Sequence, residues 1–330
     1  MEHRTVLEGL TAASGNVLSQ GSLSAITTSK AVKRSSAPTD YSGFRAAEIR
    51  TKDDTVFVRT SGEGPGLLFV HGFPRTNLMW RHLAPQLADR HTVVCVDLPG
   101  YGHSGSPAST DDHFPYSKRA MANQLVEVME QLGFTEFSVV GHDRGGRVSY
   151  RMALDHPEKV KKLAVCDVIP IFEGWSRADA RFAQTYWPWI LLSQKNPLPE
   201  KYLLGAPEAV FDNPFGAGGF PQEIREQYIE MYRDPVRVHG VCEEYRAAAT
   251  IDVEHDRADL EGRRQINCPM LHLWAAGGPL DTFYADAGGP LGIWRRWASN
   301  VHGQAMKGGH FFPEDNPTDT AELLKTFLFS

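Results

Sequence analysis

Gly141-His142-Asp143-Arg144-Gly145-Gly146 is the stretch that decides how this chain folds. The apolar run Phe137-Ser138-Val139-Val140 before it reads as a strand. Arg147-Val148-Ser149-Tyr150-Arg151-Met152-Ala153-Leu154 after it reads as a helix. A Gly-flanked residue between a strand and a helix predicts a strained turn that exposes one side chain at the edge of a sheet. That residue is Asp143. Taken alone, an Asp there would serve equally as a helix N-cap, so the surrounding sequence has to decide its role.

The neighbouring segments repeat the same rhythm. Thr55–Arg59 alternates with period two. Gly66-Leu67-Leu68-Phe69-Val70-His71 reads as a buried strand running into the loop His71-Gly72-Phe73-Pro74. Residues 80–89 suit a helix. His91–Asp97 is a further buried strand, closed by Leu98-Pro99-Gly100-Tyr101-Gly102. Residues 117–132 place Ala120, Met121, Leu125, Val128 and Met129 on one helical face. Leu163–Val168 is the next strand. Near-continuous apolar strands separated by helices predict a mostly parallel sheet covered on both faces. Residues 169–265 break the pattern: they are aromatic-rich and mainly helical, and hold the loop Asn213–Phe220. The sheet resumes at Pro269-Met270-Leu271-His272-Leu273-Trp274, with a helix expected near Trp294–Trp297. The organisation is therefore a core of residues 45–168 and 266–330, a helical cap of 169–265, and an extension of 1–44. The extension is Ser-, Thr- and Ala-rich and is expected to be flexible.

Composition narrows the function classes. The 330 residues are 42% hydrophobic and 22% charged, with a net charge of -6. That suits one large α/β unit with an insertion and favours neither nucleic acid nor an anionic membrane as partner. No apolar run approaches the roughly 18 residues of a bilayer span. Cys95, Cys166, Cys242 and Cys268 show no metal spacing, and Cys95 and Cys166 sit in strand-like runs, as buried reduced residues do. No secretory segment is evident. The reading is a cytoplasmic protein without cofactor or metal, acting on a small molecule, and compatible with a homodimer.

An Asp at such a turn selects the bond it can break. A carboxylate attacking an acyl carbon gives an activated anhydride. Attacking an sp3 carbon, it gives a stable ester while expelling a halide or opening an epoxide. Water must then be activated to hydrolyse that ester. His310, in Gly308-Gly309-His310-Phe311, stands late in the chain where the base of such an architecture falls. Its acidic partner is Asp167, which ends a strand, or Asp281, which follows Gly277-Gly278-Pro279-Leu280; the strand-end position favours Asp167. Backbone N–H groups of Phe73 and Arg144 are placed to form an oxyanion hole. Arg147 lies one helical turn beyond Asp143. With Arg144 it would keep the carboxylate ionised and grip a substrate carboxylate in forked geometry.

The chain resembles an α/β-hydrolase, most closely the haloacetate dehalogenases of the Asp-nucleophile branch. The likeness runs over residues 45–330 and rests on His71–Pro74, Asp97-Leu98-Pro99-Gly100-Tyr101-Gly102, Gly141–Val148, Asp167, Cys242-Glu243-Glu244-Tyr245-Arg246 and Gly309-His310-Phe311. It implies Asp143 as nucleophile, His310 as base, Asp167 as its partner, and Arg144 and Arg147 as the substrate-carboxylate site. It also implies a leaving-halide pocket of a His, a Trp and a Tyr, of which Trp189 and Tyr245 match two. In Tyr186-Trp187-Pro188-Trp189 the position of that His holds Pro188, which has no donor. The departure bears hardest on fluoride, which needs strong hydrogen bonding as it leaves. An epoxide hydrolase would use the same ester with cap tyrosines as donors, Tyr245 with Tyr186, Tyr228 or Tyr232. A ligand receptor or an undescribed reaction on the same scaffold is the remaining alternative.

Overall fold

Each strand of the core ends where a loop can carry chemistry. The computed structural model describes residues 41–212 and 221–330, so residues 1–40 of the expected extension and the loop 213–220 lie outside the described residues. The strands are β1 (Arg45–Arg50), β2 (Thr55–Ser61), β3 (Gly66–Val70), β4 (Thr92–Val96), β5 (Phe137–His142), β6 (Val160–Cys166), β7 (Met270–Ala275) and β8 (Val301–Met306). They form one eight-stranded sheet in the order β1-β2-β4-β3-β5-β6-β7-β8. β1 and β2 are antiparallel additions; from β4 to β8 every pairing is parallel. β3 is buried along its whole length, as a strand covered on both faces must be.

Between β5 and β6 the chain passes through α2 (Arg144–Asp155), while α1 (Lys118–Gln131) precedes β5. Ser117 caps α1 by accepting the Ala120 N–H at 3.1 Å. Among the described residues seven α-helices separate β6 from β7: α3 (Ile171–Ser176), α4 (Ala180–Thr185), α5 (Trp187–Leu192), α6 (Leu198–Gly205), α7 (Gln222–Met231), α8 (Pro235–Ala249) and α9 (Ile251–Glu261). Then come α10 (Pro279–Phe283), α11 (Gly289–Trp294), α12 (Phe312–Asp315) and α13 (Pro317–Phe329). No described helix is long and apolar enough to cross a membrane. All four cysteines are free.

Register explains how distant segments meet. Val70 faces Gly141 across β3 and β5, His142 faces Cys166 across β5 and β6, and Cys166 faces Leu273 across β6 and β7. The carboxyl ends of these four strands therefore align, which is where sites form in open parallel sheets. The loops leaving that edge carry Phe73, Asp143 and Asp167, and Ala275 is the last residue of β7.

Two local expectations change. The helix expected at 80–89 is instead a pair of 3-10 turns, Asn77–Trp80 and Ala84–Leu87; Pro85 supplies no N–H with which to continue a regular helix. The helix expected near 294–297 ends at Trp294.

One of the tight approaches in the fold, and the one that seats the helix behind Asp143, is at Gly145. A Cβ there would lie 2.2 Å from the carbonyl oxygens of both Val70 and His71, so α2 docks against the end of β3 with no room for a side chain. Gly145→Ala is expected to lower stability by about 1–3 kcal/mol, read as a lower urea midpoint with an unchanged m-value. A midpoint equal to wild type would show that the helix start tolerates displacement.

Candidate active site

The turn between β5 and α2 is held in an uncommon conformation. Asp143 has φ 47° and ψ -118°, a strained state for a residue with a side chain that costs on the order of 1–3 kcal/mol. The strain persists because both sides are fixed. The Asp143 N–H donates to Cys166 O at 3.2 Å, and Gly141 passes so close to α2 that a Cβ would lie 2.3 Å from Ser149 Oγ. The Asp143 carboxylate, 5% exposed, is gripped at both oxygens. Oδ1 accepts the Phe73 N–H at 3.0 Å, and Oδ2 accepts from Arg147 Nη1 at 3.1 Å. Burial opposes its charge, but the Arg147, His310 and Arg144 charges outweigh it and hold the carboxyl at about 2.

The Phe73 N–H is aimed by its own loop. His71 Nε2 accepts the Leu98 N–H at 3.0 Å, so the ring proton sits on Nδ1 and is donated to Gly72 O at 3.1 Å. Burial lowers the His71 pKa, which keeps that neutral tautomer. The Arg144 N–H, also expected to line an oxyanion hole, is the first of α2, where N–H groups have no intrahelical partner.

His310 pairs with Asp167, not with Asp281. Nδ1 lies 2.6 Å from Asp167 Oδ2, and the other Asp167 oxygen accepts the Ala275 N–H at 2.9 Å. Asp281 is engaged in its own loop, accepting from Trp274 Nε1 and Gly277 N, each at 2.9 Å. The far nitrogen, His310 Nε2, lies 3.8 Å from Asp143 Oδ2. Three loops thus bring Asp143, His310 and Asp167 into one line. A cavity of about 690 Å³ borders this line, with Asp167, His310, Tyr186, Trp187 and Pro279 among its walls. Among the described residues no group of His, Cys, Asp and Glu is arranged to hold a metal ion.

The two arginines differ from each other. Arg147 reaches Asp143, stacks at 4.6 Å over Trp189, and has a buried Nε without a partner among the described residues. Arg144 is fully buried and committed to Glu244: Nε lies 2.8 Å from both carboxylate oxygens, and Nη2 lies 2.7 Å from Oε1. Lys118 Nζ pairs with the same Glu244 carboxylate. The fork expected of Arg144 is therefore taken, and among the described residues its Nη1 has no partner. Its guanidinium stacks at 4.0 Å over Tyr245, so Trp189 and Tyr245 both come to the arginine pair. Pro188 is buried at the start of α5 beside Trp189.

Sequence reasoning overlooked three supports. One is Glu244, whose only signal was an acidic pair beside Tyr245. A second is His142, whose Nε2 donates to the His310 carbonyl at 2.8 Å. The third is Glu314, four residues past His310, which holds Arg75 Nε at 2.8 Å, the Tyr228 hydroxyl at 3.1 Å and Arg81 Nη1 at 2.5 Å. Arg75 lies 3.8 Å over the Phe311 ring, so Glu314 links the Phe73 loop to the His310 loop.

Residues 65–207 match the alpha/beta hydrolase fold family. The chain is 41% identical over 294 residues to a fluoroacetate dehalogenase from Burkholderia sp, covering 87% of this chain and 95% of that one. It is 28% identical over 274 residues to a soluble epoxide hydrolase from Corynebacterium sp. (strain C12), covering 78% and 88% respectively. A presumed alpha/beta hydrolase from Nostoc sp PCC 7120 superposes with a TM-score of 0.82 at 41% identity, over 87% of this chain and 99% of that one. The chain belongs to the α/β-hydrolase family and resembles the haloacetate dehalogenases within it.

The lowered Asp143 pKa has a consequence for stability. Because its folded value of about 2 lies below the ordinary 3.8, its charge stabilises the fold above pH 4, and that contribution is lost as pH falls through 2. Asp143→Asn is expected to be less stable than wild type by about 2 kcal/mol near pH 6, with the difference closing between pH 4 and 2 in parallel urea titrations. A difference constant with pH would mean that the charge carries none of it.

Proposed function

We propose that this α/β-hydrolase uses Asp143 to displace a leaving group at an sp3 carbon of a short anionic substrate, most like a 2-haloacid, through a covalent ester. The observation that carries the reading is the Asp143 carboxylate, ionised, gripped at both oxygens and aligned with the His310–Asp167 pair. Attack forms a C–O bond to the carboxylate as the C–X bond breaks and the halide departs with its electron pair. His310, oriented by Asp167, takes a proton from water as the hydroxide adds to the ester carbonyl. The Phe73 and Arg144 N–H groups meet the charge that develops there. The tetrahedral adduct then collapses, and the bond from the acyl carbon to the substrate oxygen breaks. That oxygen takes the proton from His310 and leaves as the 2-hydroxyacid, while the Asp143 carboxylate is restored. Arg147, with the free Nη1 of Arg144, supplies the grip on the substrate carboxylate. Likeness to the Burkholderia dehalogenase supports the choice of a haloacid.

Opening of an epoxide is the second reading. It is favoured by Pro188, which withholds a halide donor, and by likeness to the Corynebacterium epoxide hydrolase. The structure narrows its donors: the Tyr228 hydroxyl is committed to Glu314, whereas Tyr232 and Tyr245 both pack edge-on against Phe73.

One turnover of chloroacetate in heavy-oxygen water is expected to label the Asp143 carboxylate before the product, and His310→Ala to accumulate the ester by intact-protein mass. Label passing directly from water to product would sink the mechanism. Faster turnover of styrene oxide than of any haloacid would select the second reading.

The arginines give a separate check. Arg147→Gln is expected to raise KM for chloroacetate by about 10- to 100-fold, the size of a lost charge-assisted hydrogen bond. An unchanged KM would remove Arg147 from the carboxylate site.

A further inference from the structure

The buried groups around Phe73 include hydrogen-bond donors that nothing in the fold satisfies. The Tyr232 and Tyr101 hydroxyls and Arg144 Nη1 are all buried without a partner among the described residues, and Tyr232 and Tyr101 are fully buried. A buried donor left unpaired costs about 1–3 kcal/mol, and native proteins seldom accumulate them without reason. Tyr232 packs against Phe73 and Tyr101 against His71 of the same loop, and both hydroxyls can donate.

Contacts trace that place to the nucleophile. The Phe73 N–H bonds Asp143 Oδ1. The Phe73 ring is bracketed by Tyr232, with centroids 6.0 Å apart and planes at 85°, and by Tyr245, at 5.5 Å and 87°. Tyr232 lies within electrostatic reach of Tyr245 and of Asp143 itself. Tyr101 packs edge-on against His71 at 5.2 Å and lies within reach of Tyr232, Tyr245 and Arg144. Tyr232, at the end of α7, and Tyr245 of α8 thus flank Phe73, Tyr101 packs on His71 of the same loop, and Pro188 and Trp189 belong to α5.

We infer that Tyr232, assisted by Tyr101, forms a subsite for a monatomic halide and stands in for the donor missing at Pro188. The inference deepens the proposed dehalogenation and rests on that reading for the halide's origin. The subsite's own composition supports it: two buried hydroxyls without a partner among the described residues are donors that an anion completes. As the C–X bond breaks, the halide gains negative charge, and the Tyr232 O–H hydrogen bond to it strengthens without proton transfer.

The test reads halide binding directly and needs no turnover. The full-length protein is titrated with sodium chloride and sodium bromide at constant ionic strength, and tryptophan fluorescence is followed because Trp189 stands beside the arginine pair. Wild type is expected to show saturable quenching. Tyr232→Phe is expected to weaken halide binding about tenfold, the effect of one lost hydrogen bond, at an unchanged Tm. Adding Pro188→His to that variant restores a donor and is expected to recover affinity. Equal halide affinity in wild type and Tyr232→Phe overturns the inference, as does the absence of saturable quenching in wild type. Failure of the dehalogenase reading is distinguishable. Halide affinity that depends on Tyr232 in a protein that forms no Asp143 ester retains the subsite and removes the reaction. An ester with Tyr232-independent halide affinity does the reverse.

Discussion

Everything at this site depends on one buried carboxylate held at the start of a helix. Asp143 cannot rotate freely, because the Phe73 N–H fixes one oxygen and Arg147 the other. It cannot leave the turn, because Gly145 presses α2 against the end of β3. The left-handed backbone at Asp143 costs energy on its own, and the packing of α2 between β5 and β6 is what sustains it. Charge, strain and packing are thus one constraint. A side chain that ionised less readily, or a glycine position with a Cβ, would release all three together.

That helix also anchors the inserted segment. Arg144 binds Glu244 of α8, and further along α2 Arg151 binds Asp256 and Asp259 of α9. Buried ion pairs add little net stability once desolvation is counted, but removing one partner is costly. Their effect is therefore to fix register: α8 and α9 meet α2 in one geometry, with Tyr245 over the Arg144 guanidinium. Glu314 does the same on the other side, where one carboxylate takes Arg75, Arg81 and the Tyr228 hydroxyl. The Phe73 loop, the His310 loop and α7 are thereby tied to one another.

The divide between what the sequence revealed and what it concealed follows the range of the interactions. The turn at Asp143 was legible because a strand, two glycines and a helix are local signals. The buried strands were legible because apolar runs are local too. β8 was not, since at the sheet's edge Val301–Met306 is buried only at its two ends and carries no apolar run. The choice between Asp167 and Asp281 needed the third dimension: both follow core strands, and only the path of residues 276–281 shows Asp281 turning back to Trp274 and Gly277. The sequence showed two arginines beside a carboxylate and suggested two equal claws. It did not show Glu244, a hundred residues away, occupying one of them.

The same geometry separates the two halves of the proposed reaction. In the free protein the Phe73 N–H serves a carboxylate oxygen, and it would be a poor use of an oxyanion hole if displacement at carbon were the only step. Alkylation removes the carboxylate's charge and frees Arg147 from Oδ2, while Oδ1 becomes the ester carbonyl without having to move. When hydroxide adds to that ester, negative charge returns to the oxygen that already faces the Phe73 N–H, and the donor needs no reorganisation to meet it. His310 Nε2, 3.8 Å from Asp143 Oδ2, is too far for a strong direct bond yet stands beside the carbon that water must reach. On this reading the first half-reaction is governed by what holds the leaving group, and the second by what holds Oδ1. The substitution at Pro188 therefore falls on the first half alone, which is why the unsatisfied hydroxyls beside Phe73 matter more to the leaving group than to ester hydrolysis.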